Sequence, residues 1–174
     1  MHMDPNRIVQ VLSKTKPPWI HLVVGQKQTI LELLTRKIYF QDKIRKFAIR
    51  DVPGDRCFTK QSLLRELARV LEFPPYFGYN WDALEECLLD LADWMPAEGY
   101  ILLFIDTDKV LTDSEGDFTT LISILKSVAG EWASRRPPVP FHIVLHCFSY
   151  EKEKILSRMA NTGSEFSIWD FEPV

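Results

Sequence analysis

The stretch YILLFI, residues 100–105, decides the fold class, because six apolar residues in a row leave no polar face. Such a strand is buried on both sides, as the central strand of a parallel sheet is. Two further strand-like runs occur at residues 46–51 and 140–148, and a helical pattern separates each of them from residues 100–105. Alternating strands and helices pair in parallel through right-handed crossovers. The sequence therefore predicts an α/β protein with a small three-stranded parallel sheet packed with helices.

The chain on either side of this unit is expected to form extra segments. Residues 19–24 have the pattern of a strand and residues 29–40 that of a helix, so the N-terminal segment should add one β–α pair. Residues 151–159 have the pattern of a short helix, and residues 166–171 alternate as an edge strand does. The expected division is an extension at 1–45, a domain at 46–148 and an extension at 149–174. The sequence does not determine whether the extensions enlarge the sheet or form a second surface.

Composition narrows the class of protein. The chain has 174 residues, 46% of them hydrophobic, and a net charge of −3, which is typical of a globular protein and argues mildly against a nucleic-acid binder. Its three cysteines, Cys57, Cys87 and Cys147, are far apart, as expected of reduced thiols in a cytoplasmic protein. No apolar run approaches the roughly 18 residues of a membrane span. We therefore expect a soluble cytoplasmic protein with no membrane contact.

Capping signals mark the ends of the central helices. Thr59 is a candidate N-cap for a helix that ends before Pro74. Asn80 is a candidate N-cap for the next helix, which should run to about Trp94. A third helix is expected from about Phe118 to Ser134.

The helix that begins after Asn80 carries acids on one side. At 100° per residue, Asp82, Glu86, Asp90 and Asp93 fall within about 80° of one another. Glu85 lies at the edge of this stripe, Leu89 faces outward within it, and no lysine or arginine occurs in residues 80–94. The opposite side is apolar and should face the core, with these residues: Ala83, Leu84, Cys87, Leu88, Leu91 and Trp94. The stripe fits either a solvated helix face or a contact surface for a basic partner.

The segment FPPYFGYNWDALEECL, residues 73–88, resembles the signature of the barstar family of ribonuclease inhibitors. The pattern is a proline, two aromatic residues, a glycine, then N-x-D-A-L and, after one residue, an acid, a cysteine and a leucine. The matching positions are Pro74, Tyr76, Phe77, Gly78, Asn80, Asp82, Ala83, Leu84, Cys87 and Leu88, with Glu86 at the acidic position. The resemblance covers roughly residues 46–148.

The resemblance implies a mode of action. Proteins of this family insert the second helix and its preceding loop into a ribonuclease active site, where their acids pair with cations that would hold RNA phosphate. Carried onto this sequence, the contact residues are Tyr76, Gly78, Asn80, Asp82 and Glu86, with Leu89 beside them. The predicted partner-binding set also includes Glu85 and Asp90 of the acidic stripe. The implied partner is a cationic ribonuclease or another basic toxin protein.

Several positions depart from the family. Glu86 is one methylene longer than the family's aspartate, and Glu85 and Leu91 replace two tryptophans. The family's distant acidic contact aligns near Ser127, with Glu131 one turn further along the helix. These departures concern which ribonuclease is bound, and the sequence does not name it.

Other motifs predict no chemistry. His142 and His146 share a strand face but lack a third metal ligand nearby, and Asp113 to Asp117 resembles a calcium loop with its glycine misplaced. No nucleophile elbow or phosphate-binding loop occurs, and the basic residues of 27–50 fit the polar face of a helix better than a nucleic-acid contact. We therefore predict no enzyme, metal, cofactor or direct nucleic-acid binding. The alternatives are a fold of this type that binds another basic protein and, less favoured, a hydrolase.

Overall fold

The structure is a computed structural model that describes residues 4–38 and 46–171, with only the backbone described for residues 36–38. The helices are α1 Pro5–Leu12, α2 Lys27–Glu32, α3 Lys60–Val70, α4 Trp81–Leu89, α5 Glu115–Ala133 and α6 Lys152–Thr162. The strands are β1 Ile20–Val24, β2 Phe47–Pro53, β3 Gly99–Ile105, β4 Phe141–Cys147 and β5 Ser167–Asp170. None of the helices in the described ranges is long and apolar enough to cross a membrane.

The prediction of a three-stranded sheet is wrong, because five strands form one parallel sheet in the order β2-β3-β4-β1-β5. The expected parallel pairing of β2 with β3 and of β3 with β4 is confirmed. β1 adds to the far edge of β4, with Ile20 opposite Ile143, and β5 adds to β1, with Leu22 opposite Ile168. β4 is buried along its whole length, and β1 pairs the edge that would otherwise be left open. The three-part division of the chain stays a prediction.

Alternate residues of β3 explain why YILLFI is apolar on both sides. Tyr100, Leu102 and Phe104 pack into a core with α3, α4, α5 and α6. Ile101, Leu103 and Ile105 pack into a second core with α1 and α2. The sheet is thus the middle layer of three, and α4 lies on the opposite side of it from α1 and α2.

The starts of α3 and α4 agree with the predicted N-caps, whereas the end of α4 differs. Thr59 caps α3 in a capping box with Ser62, and the Asn80 side chain accepts a hydrogen bond from the Ala83 N–H at 2.8 Å, so both predicted caps are confirmed. α4 ends at Leu89 and continues as a 3-10 turn at Leu91–Asp93, before Trp94.

Other element boundaries differ from the prediction. α5 begins at Glu115 with Ser114 as its N-cap, so Glu115 and Asp117 lie in a first helical turn and not in a loop. α1 was not predicted, and the helix expected at 29–40 begins at Lys27 and widens into a π-helix at Leu33–Ile38. Residues 39 and 40 lie outside the described residues.

Candidate partner-binding surface

The apolar side of α4 fixes the helix on the core. Leu84, Cys87, Leu88 and Leu91 are buried, while Ala83 and Trp94 are partly buried and pack against them. Cys87 is 3% exposed, which confirms its predicted core position. Burial raises the pKa of the Cys87 thiol, and the charges of Asp90 and Glu86 raise it further, so the thiol stays protonated at neutral pH.

Two side chains, one in the last turn of α5 and one just after it, hold the last turn of α4. The Trp132 Nε1–H donates to the Leu88 carbonyl at 3.0 Å, and the Arg135 guanidinium donates to the Leu89 carbonyl. Arg135 also stacks 3.4 Å above the Trp132 ring. These contacts satisfy carbonyls that a helix end leaves unpaired. Sequence analysis missed both residues, because their partners lie more than 40 positions away along the chain.

The acidic side of α4 faces solvent. Asp82, Glu86, Asp90 and Asp93 are all exposed. None of these four carboxylates forms an ion pair with a residue of the described ranges. We call this set of four the acidic face. Like charges one turn apart cost helix stability, and the helix dipole offsets that cost only at Asp82, in the first turn of α4.

Glu85 and Leu89 border the acidic face without projecting from it. Glu85 is partly buried, and its Oε1 accepts a hydrogen bond from the Ser127 hydroxyl on α5 at 3.3 Å. Leu89 is partly buried and packs against the core. Ser127 and Glu131 are both exposed on α5, so the positions aligned with the family's distant acid are accessible. A role for Glu131 in replacing that acid stays a prediction.

The loop before α4 presents two tyrosines on an aromatic support. Phe77 is buried, with its ring centroid 4.8 Å from those of Phe73 and Tyr79. Tyr76 is 74% exposed and Tyr79 is 45% exposed. Tyr79 has a φ of 52°, a left-handed conformation that a non-glycine residue adopts only where its surroundings hold it. The loop therefore offers large rings whose backbone is already fixed.

Tyr76 belongs to the same surface as the acids. The pKa of its phenol is raised by partial desolvation and, among the charged neighbours, by Asp90, Asp93 and Glu86, so the ring shares its electrostatic surroundings with the acidic face. Gly78 and Asn80 are exposed between the tyrosines and Asp82. The Asn80 Nδ2–H donates to the Gly78 carbonyl at 3.4 Å, which connects the loop to the helix cap. The structure thus brings the loop residues and the acidic face together on one side of α4.

A family model described as Barstar (barnase inhibitor) matches residues 47–146. This chain belongs to the barstar family. The match includes the loop, α4 and α5, and it excludes β1 and β5, which enlarge the sheet. The comparison with curated proteins gave no match.

Solved structures share the whole fold with this barstar-family chain. The Aeropyrum pernix ORC1 protein in complex with DNA has a TM-score of 0.64 and 17% identity over 98% of this chain and 44% of that chain. The Aeropyrum pernix ORC2 protein, in ADPNP–ADP complexes, has a TM-score of 0.62 and 12% identity over 95% of this chain and 46% of that chain. A Drosophila ORC structure bound to AT-rich DNA and Cdc6 has a TM-score of 0.57 and 14% identity, covering 95% of this chain and 52% of that one.

This chain spans about half or less of the ORC chains named above. Identities this low show the fold alone. The five-stranded sheet replaces the expected small barstar-like sheet, and this larger fold is the one that resembles the ORC chains.

A second polar cluster lies at the carboxyl edge of the sheet, where the sequence indicated no site. Asp106 follows β3 with a φ of 53°, and its carboxylate lies 4.0 Å from the Lys27 ammonium and 3.8 Å from that of Lys109. The Asp106 N–H donates to His146 Nδ1 at 3.1 Å, and the His146 Nε2–H donates to the Gly25 carbonyl at 3.0 Å. Burial lowers the pKa of His146, so the ring is neutral at pH 7.

His142 and His146, considered above as a metal pair, use all four ring nitrogens in hydrogen bonds. In the described part of the chain, no three His, Cys, Asp or Glu side chains gather as metal ligands.

Proposed function

We propose that this chain inhibits a cationic ribonuclease by covering its active site with the acidic face of α4 and the loop that carries Tyr76. The observation that carries the proposal is the acidic face itself, exposed and without basic partners in the described chain, inside the segment that matches the barstar family. Uncompensated charge on a helix fixed so firmly is best explained by a partner that supplies the opposite charge.

Asp82 and Glu86 are the proposed energetic centre. They continue the line of Tyr76, Gly78 and Asn80 along the helix, and their carboxylates can accept two parallel hydrogen bonds from an arginine of the partner. A ribonuclease holds cations in its active site to bind phosphate, so carboxylates in these positions occupy the place of the RNA backbone.

The remaining residues have lesser proposed roles. Asp90 lies further along the helix and acts with Asp93 mainly by steering the partner toward the surface before contact. Glu85, held by Ser127, and Leu89, packed on the core, form the border that excludes water. We place such an inhibitor in the cytoplasm, where buried, unpaired cysteines like Cys57, Cys87 and Cys147 stay reduced.

We propose neither nucleotide binding nor ATPase activity, although the similar Aeropyrum pernix ORC2 protein was solved in ADPNP–ADP complexes. The sequence has no G-x-x-x-x-G-K-[ST] motif, and only Gly25 and Gln26 join β1 to α2, so no glycine-rich loop can wrap a phosphate chain. Lys27, the cation at this position, lies 4.0 Å from Asp106. The residues between β1 and α2 therefore do not fit the phosphate chain of a bound nucleotide.

The second candidate is a barstar-fold module that binds a basic protein other than a ribonuclease. A titration separates the two. Purified chain is added to a panel of basic secreted ribonucleases while hydrolysis of a fluorogenic RNA is followed. Stoichiometric loss of hydrolysis for at least one ribonuclease supports inhibition. Full hydrolysis throughout, together with capture of a basic non-nuclease that requires Asp82 and Glu86, supports the second candidate.

A further inference from the structure

A serine and two histidines form a hydrogen-bonded chain on the side of the sheet opposite α4. The Ser167 Oγ lies 2.6 Å from His21 Nδ1, and His21 Nε2 lies 2.9 Å from His142 Nδ1. The His142 Nε2 lies 2.8 Å from the carbonyl oxygen of Lys14. Both histidines are fully buried, and Ser167 is partly exposed on β5.

The Lys14 carbonyl, at the end of this hydrogen-bonded series, determines which nitrogen of each neutral ring carries the proton. A carbonyl only accepts, so the His142 Nε2 carries a proton and its Nδ1 does not. His21 must then donate from Nε2, which leaves its Nδ1 as an acceptor. The Ser167 hydroxyl is therefore the donor to His21. This is the arrangement of a serine nucleophile with its general base, in which a third group orients the base.

Packing holds the base in place and leaves the serine accessible. The His21 ring stacks on Trp169 at a centroid distance of 4.5 Å and on His142 at 5.1 Å. Ser167 lines a cavity of about 320 Å³ whose rim includes Arg7, Lys14 and Lys16. Cations around a reacting centre favour anionic substrates and stabilise negative charge that develops on an oxygen.

We propose that Ser167 is an acyl-accepting nucleophile, with His21 as its base and His142 as a positioning residue, for small esters that carry a negative charge. The Ser167 Oγ forms a bond to the ester carbonyl carbon while its proton passes to His21 Nδ1. The bond to the leaving alkoxide or phenoxide then breaks, and that oxygen takes the proton from His21. Water hydrolyses the acyl-serine in the same way, giving a carboxylic acid and restoring Ser167.

This inference does not depend on the proposed inhibition of a ribonuclease. His21 and Ser167 lie outside residues 47–146, and their contacts are on the side of the sheet away from the acidic face. A failure of either proposal leaves the other standing, because the two assays measure different surfaces.

The test uses the full chain and two activated acetate esters, 4-acetoxy-3-nitrobenzenesulfonate as the anionic probe and 2-nitrophenyl acetate as the neutral one, with each rate expressed relative to hydrolysis of that ester without protein. Nitrophenolate release is followed, and the acylated residue is located by peptide mass spectrometry. We expect acylation at Ser167 and faster reaction with the anionic ester. Ser167→Ala and His21→Gln should each slow release by roughly 100-fold. Ser164→Ala, another partly exposed serine before β5, should react as the parent does.

His142→Gln tests the positioning role through the rate of acylation at saturating ester, with folding checked by circular dichroism. A fall of roughly tenfold in that rate, with the melting curve still cooperative, supports it. Acylation confined to lysines, or equal rates for the parent and Ser167→Ala, would overturn the proposal. Peptide mapping of the parent decides the question even where a variant fails to fold.

Discussion

The acidic face of α4 is charged and exposed, whereas the hydrogen-bonded histidines His21 and His142 are neutral and buried. The acidic face exposes four carboxylates that lack ion-pair partners in the described chain. The histidine chain buries two titratable rings and gives every ring nitrogen a partner. Burial requires satisfied, neutral groups, whereas exposure tolerates charge that costs the fold stability. The difference teaches that the histidine rings are held neutral by partners within the fold, whereas the carboxylates of the acidic face are left available to a partner of opposite charge.

Removing the support of the acidic face should give the largest loss of stability. Trp132 is buried among Tyr100 and Phe141, donates to the Leu88 carbonyl and lies beneath Arg135. We expect Trp132→Ala to lower the free energy of unfolding by about 3–5 kcal/mol, measured by urea denaturation. Trp132→Phe keeps most of the packing and loses the hydrogen bond, so it should cost clearly less. Equal losses for the two variants would show that the ring contributes little to the packing of α4.

Acid should lower the stability of the fold through the two buried histidines. Burial lowers the pKa of His142 from 6.5 to about 4 and lowers that of His21 well below its usual value. As the pH falls, the histidines therefore bind protons in the unfolded chain before they do so in the folded protein. Their contribution to the free energy of unfolding is fully present above about pH 7 and is lost as the pH falls from 6.5 toward 4. At about 1.4 kcal/mol per pKa unit, His142 alone accounts for about 3 kcal/mol.

The measurement is the urea midpoint between pH 7.5 and 4, with His142→Gln as the control. The variant should be less stable at pH 7.5 and should lose less stability on acidification than the parent does. A parent whose stability is flat across this range would show that the two rings are not held neutral in the folded protein.

The substitution Cys87→Ala tests the core side of α4 without changing its acidic side, and its expected effect on stability is smaller. Cys87→Ala should cost roughly 1–2 kcal/mol, as small truncations in a core do, and leave partner binding unchanged while the chain is folded. Denaturant titration and a binding assay at low temperature measure the two quantities. Rapid reaction of Cys87 with a thiol reagent in the native protein would contradict its place in the core.

The elements whose signals are local were predictable from sequence. Thr59 and Asn80 could be identified as N-caps because a cap needs only its own side chain and the N–H groups two or three residues later. Cys87 and the acidic residues take the sides that helical periodicity assigns to them. The family resemblance rested on the same short segment, residues 73–88.

The features that sequence analysis missed depend on distant partners. β1 pairs with β4, whose residues lie more than 100 positions away, and nothing in residues 19–24 specifies which edge that strand joins. The same holds for Trp132, whose partner Leu88 is 44 residues away, and for His21, which meets His142 only in the folded sheet. Asp106 was missed because its left-handed conformation and its lysine neighbours arise from the turn after β3.

The comparison between Glu86 and Asp93 tests the central claim most directly. A cationic ribonuclease that the chain inhibits is titrated with Glu86→Ala, with Asp93→Ala and with Glu153→Ala, which removes an exposed acid of α6 as a matched control. Glu86→Ala should weaken inhibition by about 2–5 kcal/mol, because a buried guanidinium of the partner is left unpaired. Asp93→Ala should mainly slow association, in a salt-dependent way, and Glu153→Ala should match the parent. Inhibition by Glu86→Ala as tight as the parent's would contradict the account and leave the acidic face a solvated side of α4.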